Sequence, residues 1–410
     1  MVVNKRRTWR TLTLMMAMAV ILAACGSDAE ESGGDDRKVA KIGVIMPLLS
    51  GSTSFGIGIR NSVDLAIRQA NEKDLIPGWR LELAAEDDGS KPDIGGRAAT
   101  KLATDSDVVA VVGTFNSSVA QQTIPILDTA GLAQVSPSNT NDTLTRGESF
   151  ATAPTRPHKN YFRVATLDSL QGGFAADYAY KEANFRNVVI VHDGKTYGKG
   201  LAESFQARFT SNGGTVVGEP AVRVIPEETT DYSGDVTNIM PLTPDLIFYG
   251  GEYAAAARFT SELKKQGVTV PVMGGDGIVD QAYIDTAKDA AKGDLGTSIG
   301  APAEQLPTAK AYLDAYNAGS YNDPGSAYGA LAFDAANVVI NALVKVLPGK
   351  DDVDVEVRRA VIDAIQATSF DGVTGKVAFD QFGDTVTKLL TVNQVADNAW
   401  KPIKTGEFAA

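Results

Sequence analysis

The chain has 410 residues, 44% of them hydrophobic, with 38 Lys and Arg against 50 Asp and Glu, a net charge of −12. That length exceeds what one hydrophobic core usually serves, so two lobes are expected. The acidic balance argues against nucleic acid as a partner, and two histidines with one cysteine offer no metal-ligand set and no intrachain disulfide.

Lys5, Arg6, Arg7 and Arg10 precede an apolar run, Thr11 to Ala24, that is short for a membrane span; residues 1–24 therefore read as a signal peptide. The run ends Leu22-Ala23-Ala24-Cys25-Gly26, which resembles the bacterial lipobox. The resemblance implies cleavage before Cys25 and lipidation of that residue, hence an extracytoplasmic protein anchored to the cell membrane or held in the periplasm. Removing residues 1–24 takes away four cations and no carboxylate, which carries the net charge to about −16. Residues 25–38 are small, polar and acidic, with nothing to bury, and are expected to be a flexible tether.

Lys41 to Leu48 reads as a first strand, and the segment after it leads into a helix with Val63, Ala66, Ile67 and Ala70 on one face. Gly56-x-Gly58 suggests a phosphate loop, but Asn61 stands where the third glycine of a dinucleotide fingerprint belongs. Asp87 and Asp88, after the strand Arg80 to Ala85, are where a ribose-binding acid could sit. Val108 to Val112 is a β-branched run typical of a strand buried on both faces. Asn116-Ser117-Ser118 then opens a helix, Gly131 stops it, Leu132 to Val135 is the next parallel strand, and Ser136-Pro137-Ser138-Asn139-Thr140 leaves its carboxyl end. Two adjacent strand exits so presenting hydroxyls and helix-terminal N–H groups would receive a small carboxylate, whereas Ser117 or Thr140 taken singly reads as a helix cap.

Arg146 to Tyr161 reads as an extended surface loop, Phe162 to Thr166 as a strand. A second βα series follows: strands at 187–192, 215–219, 246–250 and 270–273, with helices at 200–210, 232–240 and 254–266. Helices at 307–317, 328–347 and 353–368, then strands at 376–380 and 388–395, complete the chain. His158 and His192 lie in separate segments, no Gly-x-Ser-x-Gly elbow is present, and no carboxylate pair is placed for acid–base work, so neither an enzyme nor a metal or other cofactor is expected. Asp276, between glycines at a strand exit, is either a ligand-facing carboxylate or a plain Asp-Gly turn.

Taken in order, Ile42-Gly43-Val44, Asn116-Ser117-Ser118, Ser136 to Thr140, Asp168-Ser169-Leu170-Gln171-Gly172, His192-Asp193 with Tyr197-Gly198, Tyr249-Gly250-Gly251 and Gly275-Asp276-Gly277 carry a family likeness. Over about Val39 to Lys404 the chain resembles the solute-binding proteins of branched-chain amino-acid ABC transporters, the leucine/isoleucine/valine-binding type of the type I periplasmic-binding fold. The resemblance implies an α/β fold of two lobes, each a parallel sheet flanked by helices, with three crossover strands at the hinge. Lobe 1 would be 39–168 plus 301–379, and lobe 2 169–300 plus 380–410.

It also implies a site in the interlobe cleft. Ser117 and Thr140 would hold a ligand carboxylate, Ser138 and Asp276 its ammonium; Phe55, Tyr197 and Tyr328 would wall it, with Asn116 and Asn139 beside them. The implied function is capture of a small amino acid, branched-chain or related, by a monomer that delivers it to a membrane permease. The alternatives are another compact solute (an amide, urea, a polar or aromatic acid), or a sensor feeding a receptor kinase. Two departures bear on the site. Asn116 replaces a cysteine of the family's disulfide, and Glu252 stands where leucine-type proteins carry a pocket tyrosine. Either Tyr253 replaces that tyrosine and Glu252 faces water, the favoured reading, or Glu252 turns inward and makes the pocket poorer for an aliphatic side chain.

Overall fold

The computed structural model describes residues 37–408. The expected signal peptide, Cys25 and all but the last two residues of the expected tether lie outside them. Lys38, placed by the sequence in the tether, instead opens the first strand by pairing with Trp79.

Two sheets organise the chain. The first is parallel throughout, in the order β2 (Trp79–Asp87), β1 (Lys38–Met46), β3 (Val108–Gly113), β4 (Ala133–Ser136), β5 (Tyr161–Arg163). Helix α1 (Thr53–Glu72) links β1 to β2, α2 (Pro92–Thr104) links β2 to β3, α3 (Ser117–Thr129) links β3 to β4, and the single turn α4 (Thr143–Arg146) follows β4. Strand β3 is buried on both faces, and a register shift against Lys41 and Ile42 of β1 breaks its alternation near Val109. Ala110 and Val112 pack with α1 residues Ile59 and Val63, while Val108 and Val111 pack with Ala99 and Leu102 of α2 and Leu127 of α3.

The second series runs α5 (Asp168–Asp177), β6 (Asn187–His192), α6 (Thr196–Ser211), β7 (Thr215–Val216), β8 (Val222–Val224), α7 (Ser233–Ile239), β9 (Leu246–Gly250), α8 (Tyr253–Lys265), β10 (Val272–Gly274), α9 (Gln281–Ala287) and β11 (Leu295–Ile299). Helices α10 (Lys310–Ala318), α11 (Gly329–Val346) and α12 (Val355–Gln366) come next; α11 and α12 pack on β3 and β4 of the first sheet. A hairpin of β12 (Ser369–Gly372) and β13 (Gly375–Ala378) precedes β14 (Leu389–Ala396) and β15 (Ala399–Glu407). The second sheet has the order β15-β14-β11-β10-β9-β6-β7, with β8 also on β6. The chain therefore passes between the sheets three times, after β5, after β11 and after β13.

The second sheet is not purely parallel, as the sequence suggested. Strands β14 and β15 pair antiparallel with β11 and with each other. β14 and β15 are a hairpin closed by Asp397 and Asn398, a connection open only to antiparallel strands, and β14 meets β11 on the chain's return from the first sheet. One face of this sheet carries Val188, Ile190, Phe248 and Met273 against Leu201 and Phe205 of α6. There Phe205 stacks on Phe248 at 3.8 Å between centroids, a contact worth about 0.5–1.5 kcal/mol beyond its buried area. The other face carries Val189, Val191, Ile247 and Val272 against Ala256, Phe259 and Leu263 of α8. Helix α11 is long and apolar enough to cross a bilayer, yet Ala335, Val338, Val339 and Leu343 lie in the first lobe's core.

Asp294, fully buried before β11, accepts hydrogen bonds from Val272 N (2.8 Å) and Tyr283 OH (2.6 Å). Burial pushes its carboxyl up to about 7, against the pull of Lys264 at 3.9 Å. The native state therefore holds this proton more tightly than the unfolded chain does. The resulting stabilisation is complete below the ordinary aspartate value of 3.8 and is lost as pH rises towards 7. We expect the fall in melting temperature between pH 5.5 and 7.5 to be shallower in Asp294→Asn than in the native protein. Parallel curves for the two proteins would rule out Asp294 as the titrating group.

Candidate functional site

The carboxyl ends of the two sheets face one another across a cleft. From the first sheet come Phe115, Asn116 and Ser117 after β3, Ser138 after β4, and Tyr328 ahead of α11; from the second come Tyr197 at the start of α6, Glu252 after β9, and Asp276 and Gly277 after β10. Together they line a small cavity with about 10 Å³ free, room for about one water molecule, so the two sets of exits close nearly onto one another. The second-sheet contribution depends on backbone contact. A Cβ on Gly250 would come within 2.1 Å of the Gly198 carbonyl, so two glycines let the start of α6 lie against the β9 exit.

At one end, Asn116 is the N-cap of α3 and Ser117 its first residue, one position later than a serine cap would require. No side chain caps α3; Val119 N and Ala120 N donate to the Asn116 carbonyl (3.1 and 3.0 Å), which leaves the amides of Ser117 and Ser118 to a group outside the helix. The Ser117 hydroxyl, only 2% exposed, has no hydrogen-bond partner. The Ser138 hydroxyl donates to the carbonyls of Thr114 (3.1 Å) and Phe115 (3.4 Å), which fixes the two first-sheet exits against each other.

Across the cleft, Asp276 accepts hydrogen bonds from Tyr197 OH at Oδ1 (2.8 Å) and Tyr328 OH at Oδ2 (2.7 Å). Tyr328 stands on the first-sheet side, so the second of these joins the lobes. Burial raises the Asp276 carboxyl's pKa, and the two tyrosine hydroxyls restrain the rise. Held by tyrosines from both sides of the cleft, its side chain does more than close an Asp-Gly turn.

Glu252 is 3% exposed and lines the cavity, contrary to the favoured expectation that it faces water. It is the N-cap of α8 but caps nothing with its side chain; its carboxylate accepts hydrogen bonds from Ser52 Oγ and Asn116 Nδ2. Tyr253 points elsewhere and sets its ring edge-on to Phe55, 5.5 Å between centroids. Both residues are buried at the strand–helix turn, and tertiary contacts decide which one faces the cleft. Burial raises the pKa of Glu252, opposed mainly by the charge of Lys195, which is itself ion-paired with Glu227. Burial would depress the Lys195 ammonium, but Glu252 and Glu227 more than offset this and raise it.

Of the residues expected at the site, Asn116, Ser117, Ser138, Tyr197, Glu252, Asp276 and Tyr328 are brought together. Phe55, Asn139 and Thr140 stand one layer back. Phe55 is an inner-face residue of α1, fully buried, and stacks behind Phe115 at 4.9 Å. Phe115, which the sequence left without a role, supplies the wall instead. Asn139 donates to the Phe115 carbonyl (2.7 Å) and accepts from Tyr161 OH (2.9 Å), so it braces the exit. Thr140 is fully buried; its carbonyl accepts from Asp168 N (2.7 Å) and its hydroxyl lies beside the Asp168 carboxyl.

The nucleotide features are structural. A Cβ on Gly56 would meet the Pro47 carbonyl at 2.1 Å and one on Gly58 the Ser326 amide at 2.6 Å, so both glycines permit close packing of α1. Asp87 accepts from the amides of Leu48 (2.7 Å), Leu49 (2.9 Å) and Gly89 (3.2 Å). His192 Nδ1 accepts from Gly194 N (3.0 Å), and His158 pairs with Asp128 (2.7 Å). No metal-binding cluster is found among the described residues. Residues 147–159 lie at the surface, but the end of the expected loop does not: Asn160 and Tyr161 are fully buried, and Tyr161 opens β5. Arg156 pins the segment, its guanidinium donating to the Tyr161 carbonyl (3.1 Å) and sitting over Phe162. Glu148, Phe150 and Ala151 line a wider depression of about 700 Å³ against α6 and Phe408. Its charges are matched locally, as in the Arg208–Asp177 pair (2.7 Å), and its one buried carboxylate, Asp142, is already satisfied by Ser169 N (3.0 Å) and Ser169 Oγ (2.6 Å).

Comparison with known proteins agrees with this architecture. The Leu/Ile/Val-binding protein BraC3 of Rhizobium johnstonii is 29% identical over 348 residues, spanning 85% of this chain and 89% of the relative. The leucine-, isoleucine-, valine-, threonine- and alanine-binding protein of Pseudomonas aeruginosa is 26% identical over 93% of this chain and 94% of its own. Among solved structures, the branched-chain amino-acid transporter substrate-binding protein LivJ of Streptococcus pneumoniae, in complex with isoleucine, superposes with a TM-score of 0.77 at 26% identity. That alignment covers 89% of this chain and 99% of LivJ. A solute-binding protein of R. palustris in complex with benzoate shares the fold, with a TM-score of 0.77 at 20% identity over 91% of this chain and 97% of its own. The periplasmic binding protein family matches residues 39–399, nearly all that the structure describes, and the chain belongs to that family.

Proposed function

We propose that this protein is the extracytoplasmic solute-binding component of an ABC importer, that it captures a small amino acid between its lobes, and that the closed, loaded form is what the permease recognises. The observation that carries the reading is the polarity of the cleft. A buried hydroxyl without a partner and free helix-terminal amides stand at one end, and a buried carboxylate held by two tyrosines stands at the other. A zwitterion matches both, its carboxylate on Ser117 and its ammonium on Asp276 and the Ser138 carbonyl. Because these groups lie on opposite lobes, the ligand stabilises the closed form over the open one by its differential affinity. Binding and release make and break no covalent bond, and no catalytic residue is assigned. The amino-acid ligands of the Rhizobium and Pseudomonas relatives and of the LivJ complex support the same class. Lipidation at Cys25 would anchor a monomer beside its permease.

The test is a thermal-shift screen of the chain without residues 1–36, whose remainder, Arg37–Ala410, is one compact unit. Amino acids, small amides, urea and aromatic acids are the probes, since a ligand of the folded state alone must raise the melting temperature. A screen in which no amino acid moves the transition would remove the reading. Ser117→Ala should weaken a carboxylate ligand by about 1.5–3 kcal/mol, the range for hydrogen bonds to charged groups. Titration calorimetry showing the same loss for a neutral amide would argue against a carboxylate clamp.

A further inference from the structure

The lining of the cleft contains two carboxylates, Asp276 and Glu252, and no cationic side chain. A zwitterionic ligand has one ammonium, and Asp276 takes it. That leaves Glu252, on a different exit of the second sheet, facing the remainder of the solute. Its hydrogen bonds come from Ser52 and Asn116, one to each oxygen. A carboxylate oxygen accepts about two hydrogen bonds, so each retains capacity towards the cavity. Lys195 compensates part of the charge from behind, but its ion pair is with Glu227 and it does not line the cleft. An aliphatic side chain closing over Glu252 would exclude water from an acceptor and give nothing in return.

Resting on the amino-acid reading above, we infer that Glu252 is a specificity-determining residue that selects a compact solute carrying a second N–H or O–H donor on its side chain, and rejects purely aliphatic side chains. Phe115 and Tyr328, 5.5 Å apart and edge to face, wall the stem of that side chain, and Glu252 reads its tip. A hydroxyl or amide and a short amine share this donor chemistry; only the amine adds a positive charge. Asn116 belongs to the same device, because its Nδ2 holds the Glu252 carboxylate across the cleft while its own Oδ1 has no partner.

The experiment is titration calorimetry of the native protein and of Glu252→Gln and Glu252→Leu. The probes are threonine and asparagine as neutral donors, 2,4-diaminobutyrate and ornithine as cations, and leucine and valine as aliphatic controls. A site built around a polar partner discriminates by ~10²-fold or more, so the native protein should prefer its best donor probe over leucine by at least that factor. Glu252→Leu should erase the preference by weakening the donor probe and tightening leucine. Glu252→Gln, which keeps shape and one acceptor oxygen, reports on folding and on charge: retained affinity identifies a neutral donor, and a loss confined to the amines identifies a cation. Both results support the inference. Native binding of leucine or valine as tight as any donor probe, or a preference that survives Glu252→Leu, overturns it while leaving the amino-acid reading intact. Absence of binding by every amino acid in all three proteins overturns both.

Discussion

Asp276→Ala should weaken amino-acid binding by about 2–5 kcal/mol, the range for truncating one partner of a buried, hydrogen-bonded charge pair. The unliganded protein should still fold. Asp276 is only 4% exposed, and burial already raises its pKa, so removing the carboxylate relieves a desolvation penalty. The opposing loss is of the acceptor for two tyrosine hydroxyls, Tyr197 and Tyr328, and Tyr197 retains a contact with Gly277 N (3.0 Å). Asp276→Asn separates charge from shape, because the amide oxygen can still accept from a tyrosine while no charge faces the ligand ammonium. If calorimetry finds full affinity in Asp276→Asn, the ammonium is held by something else. If both variants lose affinity with unchanged melting temperature, the negative centre does the holding.

How much of this site could be read beforehand depended on the kind of contact. β3 is legible because Val108 to Val112 is a β-branched run of the kind buried on both faces, and the exits after β3 and β4 follow from the breaks at Gly113 and at Ser136-Pro137. Strand β15 was missed because it is an edge strand whose alternate residues are exposed and whose Pro402 reads against a strand. Pro402 sits opposite Asn393 beside a register shift, where a proline is tolerated. Strand β11 was missed because Leu295-Gly296-Thr297-Ser298-Ile299 has weak β propensity and is held by its neighbours. The direction of Glu252 was beyond periodicity altogether. Glu252 and Tyr253 straddle a strand–helix turn, both end up buried, and only the positions of Ser52, Asn116 and Phe55, far away in sequence, separate them. Ser52 and Lys195 were missed for the same reason, since each acts through a partner distant in the chain.

The largest loss of stability is expected from Asp384→Ala. Asp384, 2% exposed, lies in the chain between β13 and β14 where it passes from one sheet to the other. Its Oδ1 accepts from Arg163 Nε (2.7 Å) and Thr145 Oγ1 (2.7 Å), and its Oδ2 from Arg146 Nε (2.7 Å). Arg163 is fully buried at the end of β5, next to another passage between the sheets, and also donates to the Asn141 carbonyl (2.7 Å). Burial alone would push the Asp384 carboxyl up, but the Arg163 guanidinium offsets this and holds it below the ordinary aspartate value. The stabilisation it gives is therefore complete above the ordinary value of 3.8 and is lost as pH falls through the depressed one. Alanine at 384 strands a guanidinium in the interior, and breaking a buried pair in this way costs about 3–5 kcal/mol. Urea unfolding at neutral pH should show the loss as a lower midpoint at unchanged slope. The companion measurement is the double variant Arg163→Met/Asp384→Leu, which removes both charges and should recover much of the loss, because two matched apolar groups avoid the desolvation that one stranded ion suffers. A loss below about 1 kcal/mol in the single variant, the scale of an exposed pair, would mean that Arg163 finds water or another acceptor. A double variant no more stable than Asp384→Ala would mean that the network's hydrogen bonds to Thr145 and Arg146, rather than its buried charges, hold the two passages together.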